Sequence, residues 1–138
     1  MNQPGNIAGK AASNRKVLIV DDNADIRMLM RVTLGKKYEL LEADSGTSAL
    51  QMIERHQPEL VLLDIGMSGE LDGLQVLDVV KGNARLRDIV VGMVTARNQS
   101  ADDKAARARG ADAYFVKPFS PRQIIAWVDD CLSAAAPA

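Results

Sequence analysis

The chain has 138 residues, of which 47% are hydrophobic and 25% are charged, a size and composition that suit one compact domain and leave no room for a second. Seventeen basic and eighteen acidic residues give a formal net charge of -1, which disfavours a nucleic-acid-binding protein. The single cysteine, Cys131, and the single histidine, His56, exclude an internal disulfide and a cluster of cysteine and histidine metal ligands.

The chain also lacks the apolar segments of a membrane or exported protein. No apolar run approaches the length of a membrane span, and Met1 to Lys16 has no apolar core of the kind found in signal peptides. We therefore expect a soluble protein of the reducing cytoplasm, with one domain over residues 16–133 and tails at 1–15 and 134–138.

The first predicted elements are a buried strand and a helix. Val17 to Val20 is apolar throughout and stops on two acids, Asp21 and Asp22. Asn23 is the expected N-cap of the following helix, and Gly35 is placed to end it. Its apolar residues recur at helical spacing: Ile26, Leu29, Met30, and Thr33 or Leu34.

The next strands differ in character. Tyr38 to Glu42 mixes polar and apolar residues, as an edge strand does, and Ser45 opens a helix that Pro58 closes. Glu59 to Asp64 contains an unbroken apolar run, which is typical of a parallel strand buried on both faces. A loop with small residues, Gly66 to Gly73, leads into a third helix with Leu74, Leu77 and Val80 facing inward.

The last third of the chain repeats this alternation. Ile89 to Val94 is a fourth apolar strand ending on Thr95, and Ser100 with Asp103 predicts the start of a helix that Gly110 stops. Tyr114 to Val116 forms a short fifth strand ending on Lys117 and Pro118. The last helix begins at Ser120, with Pro121 at its first position and Gln123 completing a capping box, and its buried stripe is Ile124, Ile125, Val128 and Leu132.

Five strands alternating with five helices predict an α/β fold, a doubly wound parallel sheet with helices on both faces. The small flavodoxin-like version of this layout has the strand order 2-1-3-4-5, and its site lies where the first and third strands run side by side.

In that layout Asp21, Asp22 and Asp64 meet in one crevice. Two carboxylates about 4 Å apart repel by roughly 4 kcal/mol at an effective dielectric constant of about 20, so three together need a cation or a proton. Oxygen ligands alone suit Mg²⁺. Thr95 and Lys117 follow the next two strands and would bring a hydroxyl and an ammonium, groups that hold phosphoryl oxygens, to the same rim. Taken singly, each of these residues is also typical of a turn, a cap or a solvated surface.

Five separated motifs, in order and spacing, resemble the receiver domain of two-component response regulators. They are Asp21-Asp22, Asp64, Asp72-Gly73, Thr95-Ala96 and Lys117-Pro118, within a resemblance that covers Lys16 to Leu132.

The resemblance implies roles for these residues. Asp64 would be the phosphoacceptor, with Lys117 offsetting the charge of the phosphoryl group. Asp22, Asp64 and the backbone carbonyl of Gly66 would bind Mg²⁺ directly, and Asp21 would act through water. Thr95 would move to the new phosphate as the aromatic Tyr114 turns inward. The resemblance also implies a cis bond between Lys117 and Pro118.

The implied partners are a sensor histidine kinase or a histidine phosphotransfer protein upstream and an unidentified protein downstream. The downstream partner would read the surface formed by the fourth helix, the fifth strand and the fifth helix, which could also mediate a phosphorylation-dependent dimer. The chain departs from the family pattern at Ser68, where proline is usual, and in a loop from Asp64 to Gly73 that is one residue longer than usual. Gly66 and Arg97 occupy variable positions beside the phosphate.

Three other functions stay open at this point. An aspartyl-nucleophile phosphohydrolase would carry a second Asp two residues after its nucleophile, where this chain has Asn23. A flavin carrier would need hydroxyls and glycines after the first strand, where Asp21 and Asp22 would repel the flavin phosphate. A receiver-like interaction module that no longer accepts phosphate would not need the complete set of site residues.

Overall fold

The computed structural model describes residues 15–67, 69–95 and 100–135, with the side chains at 100–103 and 134–135 excepted. Most of the two predicted tails, Ser68, Ala96 and Arg97 therefore lie outside the described residues, and so do the side chains of the predicted capping box at Ser100 and Asp103.

Five strands and five helices alternate along the described chain, as the sequence predicts. The strands are β1 (Lys16–Val20), β2 (Glu39–Ala43), β3 (Leu60–Asp64), β4 (Val90–Thr95) and β5 (Ala113–Val116). The helices are α1 (Ala24–Leu34), α2 (Gly46–His56), α3 (Gly73–Gly82), α4 (Ser100–Ala108) and α5 (Pro121–Ala135). All four strand pairings are parallel, and the order is β2-β1-β3-β4-β5, which confirms the predicted topology.

Some boundaries differ from the prediction by one residue. β2 starts at Glu39 because the backbone N–H of Tyr38 donates to Leu34 O, 3.3 Å away, and so belongs to the turn after α1. β4 starts at Val90 because Ile89 N–H donates to Leu86 O. Thr95 lies within β4 as its last residue.

Local side-chain bonds define the helix starts. Asn23 accepts from the backbone N–H groups of Asp25 and Ile26, as an N-cap should. Ser45 forms a capping box with Ser48, and Asp72 forms one with Gln75. At α5 the backbone N–H of Gln123 donates to Ser120 Oγ at 3.3 Å.

The core lies in two layers on the two faces of the sheet, because side chains alternate along each strand. One layer packs β-strand residues such as Leu18 and Leu63 against α2 and α3, and the other packs Val17 and Leu62 against α1 and α5. β3 is buried along its whole length, as predicted. In α1 Met30 and Leu34 face the core, whereas Leu29, which belongs to the same apolar pattern, is exposed.

Among the helices of the described residues, none combines the length and the apolarity that crossing a bilayer requires.

Candidate functional site

The strand register brings the predicted site residues to one end of the sheet. Val20, just before Asp21, pairs with Leu63, just before Asp64. On the other side, Asp64 pairs with Val94 and Thr95 pairs with Val116, so Lys117 follows directly. The carboxyl ends of four neighbouring strands therefore carry the predicted site side chains, which is where ligands bind in open α/β sheets.

Asp21, Asp22 and Asp64 form one cluster, here called the acidic cluster. One carboxylate oxygen from each lies within 4.8 Å of the others. Asp21 and Asp64 are 3% and 5% exposed, whereas Asp22 is on the surface. Two of the three carboxylates are thus removed from water. Their mutual repulsion is stronger there than in water because the surroundings have a lower dielectric constant.

Lys117 reaches the acidic cluster from the end of β5. Its Nζ lies 3.0 Å from Asp21 Oδ2 and 3.5 Å from Asp64 Oδ2. Its backbone N–H donates to Thr95 O at 2.7 Å, which holds the start of the following loop against the end of β4. The peptide bond between Lys117 and Pro118 is cis, which confirms that prediction.

The loop after β3 closes around Asp64. The backbone N–H of Gly66 donates to Asp64 Oδ1 at 3.0 Å, which places this residue beside the acidic cluster. The N–H of Ile65 donates to Val94 O, and the N–H of Gly73 donates back to Ile65 O. These bonds hold the Asp64 side chain at the strand end.

The surroundings of Asp64 and Lys117 shift their titration in the same direction. Burial, followed by the charge of Asp21, raises the pKa of the Asp64 carboxyl, although the Gly66 N–H and Lys117 oppose this shift. Burial by itself would lower the pKa of Lys117, but the contact with Asp21 and the charges of both aspartates outweigh it, and the pKa of Lys117 is raised. The three carboxylates of the acidic cluster outnumber the ammonium of Lys117 that contacts two of them.

That imbalance fits a divalent cation. The three residues offer hard oxygen ligands, the donor set that Mg²⁺ prefers, and a bound cation would offset the charge of Asp21, which after burial is the second cause of the raised pKa of Asp64. Both carboxylate oxygens of Asp21 already have partners, because Oδ1 accepts from Asn23 N–H at 2.9 Å and Oδ2 contacts Lys117. Asp64 is engaged in the same way, because its Oδ1 accepts from Gly66 N–H at 3.0 Å and its Oδ2 lies 3.5 Å from Lys117 Nζ.

Thr95 and Tyr114 lie on the same face of the sheet. Thr95 is buried, and Met93, two residues earlier on the same face, pairs with Tyr114. Tyr114 is half-buried against the core layer of α2 and α3, and the Arg107 guanidinium lies 5.9 Å from its ring centroid. Met93 is therefore a neighbour of both Thr95 and Tyr114 on this face of the sheet.

Sequence reasoning missed Arg27 and Glu42, which contact each other beside the acidic cluster. Arg27 Nη1 donates to the backbone carbonyl of Asp21 at 2.6 Å, and its Nε donates to Glu42 Oε1 at 3.2 Å. A glutamate inside a strand and an arginine one turn after an N-cap were the available signals, but both are also typical of solvated surfaces.

The comparisons with known proteins agree with this geometry. Residues 17–129 match the model of the response regulator receiver domain. The chain is 35% identical over 124 residues to the phosphate regulon transcriptional regulatory protein PhoB of Klebsiella pneumoniae, covering 89% of this chain and 54% of PhoB. It is also 35% identical over 116 residues to the alkaline phosphatase synthesis transcriptional regulatory protein PhoP of Bacillus subtilis, covering 83% of this chain and 47% of PhoP.

A solved structure gives the same result. The receiver domain of NtrX from Brucella abortus superimposes with a TM-score of 0.77 at 34% identity, covering 85% of this chain and 98% of that domain. The chain spans about half the length of the curated relatives it matches. The matched region includes every site residue described above, from Asp21 to Lys117, and the chain therefore belongs to the response regulator receiver domain family.

Proposed function

We propose that this chain is a phosphorylation-controlled switch in which Asp64 accepts a phosphoryl group from a histidine kinase or a histidine phosphotransfer protein. Receiver domains are signalling domains of two-component systems rather than conventional enzymes. The observation that carries the proposal is the position of Asp64, inside the acidic cluster and 3.5 Å from Lys117 Nζ.

The chemistry is a single displacement at phosphorus. A carboxylate oxygen of Asp64 forms a new bond to phosphorus as the bond from phosphorus to the donor's imidazole nitrogen breaks. The bonding electrons leave with the imidazole. With a small acyl phosphate, the bond from phosphorus to the acyl oxygen breaks instead. The Lys117 ammonium offsets negative charge on the phosphoryl oxygens, and such reactions depend mainly on positioning and electrostatics.

By analogy with the receiver family, Asp22, Asp64 and the carbonyl of Gly66 would hold Mg²⁺, with Asp21 acting through water. Bound Mg²⁺ supplies further positive charge next to the phosphoryl oxygens. This assignment is supported by the all-oxygen donor set and by the excess negative charge of the protein groups.

The output surface in this proposal is formed by α4, β5 and α5. Phosphorylation adds acceptor oxygens beside Thr95, whose hydroxyl would donate to them, and Tyr114 would then repack on the same sheet face. An unidentified protein, or a second copy of the chain, would bind the altered surface. We place this switch in the cytoplasm, consistent with the single unpaired cysteine.

The surface next to the acidic cluster fits a protein donor. Met28, Leu29 and Val32 are exposed apolar side chains that share one side of α1, and α1 starts two residues after Asp22. We expect Val32→Asp to slow phosphorylation by the cognate kinase and to leave labelling by acetyl phosphate unchanged. Val79→Asp, at an exposed valine on α3, is the matched control. Equal kinase rates for wild type and Val32→Asp would rule out this docking face.

The central test is the intact mass after incubation with Mg²⁺ and acetyl phosphate. The wild type and the control Asp78→Asn, which is changed on α3 away from the acidic cluster, should gain one phosphoryl group. Asp64→Asn should gain none, and removing Mg²⁺ with EDTA should abolish labelling of the wild type. Labelling of Asp64→Asn to the wild-type extent would refute the assignment. Repeated turnover of a phosphoester with Asp22 essential would favour the phosphohydrolase.

A further inference from the structure

Every polar group of Asp21 has a partner in the structure. Its backbone N–H donates to Ala43 O at 3.2 Å, and its carboxylate accepts from Asn23 N–H and contacts Lys117. Its backbone carbonyl accepts from Arg27 Nη1 at 2.6 Å. Of these partners, Lys117 belongs to the five motifs that identify the family, and Arg27 does not.

Arg27 uses two edges of its guanidinium at once. While Nη1 binds the Asp21 carbonyl, Nε donates to Glu42 Oε1 on β2, the strand next to β1. The Arg27 side chain is 19% exposed, so this contact is largely shielded from water. A planar guanidinium that donates to two partners restrains the Asp21 carbonyl more firmly than a flexible cation at the surface would.

We propose that Arg27 is a positioning residue for the acidic cluster, and that Glu42 acts through it. The segment from Asp21 to Asn23 presents two of the three clustered carboxylates, and repulsion among them favours rotation of this backbone away from Asp64. The bond from Arg27 to the Asp21 carbonyl opposes that rotation. Glu42 holds the guanidinium in place and balances its charge, so the site keeps its attraction for a cation.

This inference rests on the proposed function, and the test is the affinity for Mg²⁺, measured by calorimetry in the absence of any phosphodonor. Residues that orient metal ligands through hydrogen bonds typically change metal affinity by about 10–100-fold when removed. We expect Arg27→Ala to raise the Kd for Mg²⁺ by about tenfold, with the melting temperature of the metal-free protein measured alongside.

Arg31 provides the matched control. It also donates to Glu42, with its Nε 2.8 Å from Oε2, but its side chain is 58% exposed and its contacts are with Glu42 rather than Asp21. Arg31→Ala should therefore change the Kd for Mg²⁺ by less than about twofold, as is usual for an exposed ion pair. If Arg31→Ala weakens Mg²⁺ binding as much as Arg27→Ala does, the two arginines have a general electrostatic role and the proposal is wrong.

Two further variants keep the test decisive. Arg27→Lys retains the charge but cannot bridge both partners with a planar fork, so it should also weaken Mg²⁺ binding; wild-type affinity in this variant overturns the proposal. It also replaces Arg27→Ala as the test if that protein fails to fold.

Because Glu42 acts through Arg27, the double variant Arg27→Ala/Glu42→Ala should bind Mg²⁺ no more weakly than Arg27→Ala alone. Additive losses would contradict that coupling.

Mg²⁺ binding and phosphorylation of the wild type distinguish failure of this inference from failure of the proposed function. A wild type that neither binds Mg²⁺ nor accepts phosphate removes the function and the inference together. A wild type that does both, alongside an Arg27→Ala protein of equal Mg²⁺ affinity, leaves the function standing and removes only the positioning role.

Discussion

The Cα of Gly73 lies against the backbone of Asp64, with no space for a side chain between them. A Cβ atom at residue 73 would be 2.3 Å from Asp64 O and 2.7 Å from Ile65 Cα. The start of α3 is thus packed directly on the end of β3, the strand that carries the proposed phosphoacceptor.

This packing predicts that Gly73→Ala destabilises the protein, because the methyl group meets backbone atoms that cannot move without displacing Asp64. Overpacking of this kind costs about 1–3 kcal/mol in the free energy of unfolding, measured in urea. Gly82→Ala, in the same helix with nothing within 4 Å of its Cβ position, should be neutral or stabilising by up to about 1 kcal/mol. Equal stability of the two variants would show that the close contact at residue 73 is relaxed in solution.

A second prediction concerns the charge of Asp64 without metal. Because burial and then the charge of Asp21 raise its pKa in the folded state, ionised Asp64 lowers stability at pH values above the unfolded pKa of about 3.9 and has no effect below it. Asp64→Asn in EDTA should therefore melt above the wild type at pH 7, by about 2–5 °C, and this advantage should disappear towards pH 3.

Mg²⁺ supplies the complementary measurement. It should raise the melting temperature of the wild type more than that of Asp64→Asn, because a ligand that binds more tightly stabilises the folded state more. Asp78→Asn should behave as the wild type does. A wild type that melts above Asp64→Asn at pH 7 in EDTA would show that Lys117 already balances the acidic cluster.

The single tryptophan should report the proposed switch. Trp127 on α5 packs edge-to-face on Phe115 of β5, with centroids 5.5 Å apart, and its ring lies over Gly92 of β4. Phosphorylation with acetyl phosphate and Mg²⁺ should change its fluorescence if α4, β5 and α5 repack. Thr95→Ala should accept phosphate, as judged by intact mass, but show a smaller change in Trp127 fluorescence. Lys117→Ala should fold but fail to propagate the switch. An unchanged spectrum in fully phosphorylated wild type would argue against movement of this surface.

The contact between Tyr38 and Asp129 predicts a pH-dependent stability far from the acidic cluster. The Tyr38 hydroxyl and then Lys37, whose Nζ is 2.9 Å from Asp129 Oδ2, lower the pKa of the Asp129 carboxyl. A lowered carboxyl pKa adds stability above the unfolded value of about 3.9, and this is lost as the pH falls through the folded value.

Tyr38→Phe should therefore cost about 1–2 kcal/mol in urea unfolding at pH 7 and much less near pH 3. Lys37→Ala removes a mostly exposed partner and should cost less than about 1 kcal/mol. A loss in Tyr38→Phe that is the same at both pH values would assign the effect to packing of the ring rather than to the hydrogen bond with Asp129.

Much of the fold could be predicted because the signals are local. The apolar run ending at Asp64, the N-cap Asn23 and Ser45 at the start of α2 each act within a few positions, and the structure has them as predicted. Element boundaries and the exposed position of Leu29 do not follow from such local signals. The residue at which a turn ends depends on contacts with distant segments, and so does the side of a helix that packs on the sheet.

By itself, the sequence determined the order of strands and helices, the buried central strand and the polar residues at the strand ends, since hydrophobic periodicity and caps depend on near neighbours. Only the tertiary structure decided that Arg27 reaches the Asp21 carbonyl while Glu42 holds it, and that Lys117 lies between two aspartates. Those contacts join segments far apart in the chain, and their geometry depends on strand register and side-chain reach, which no local pattern encodes.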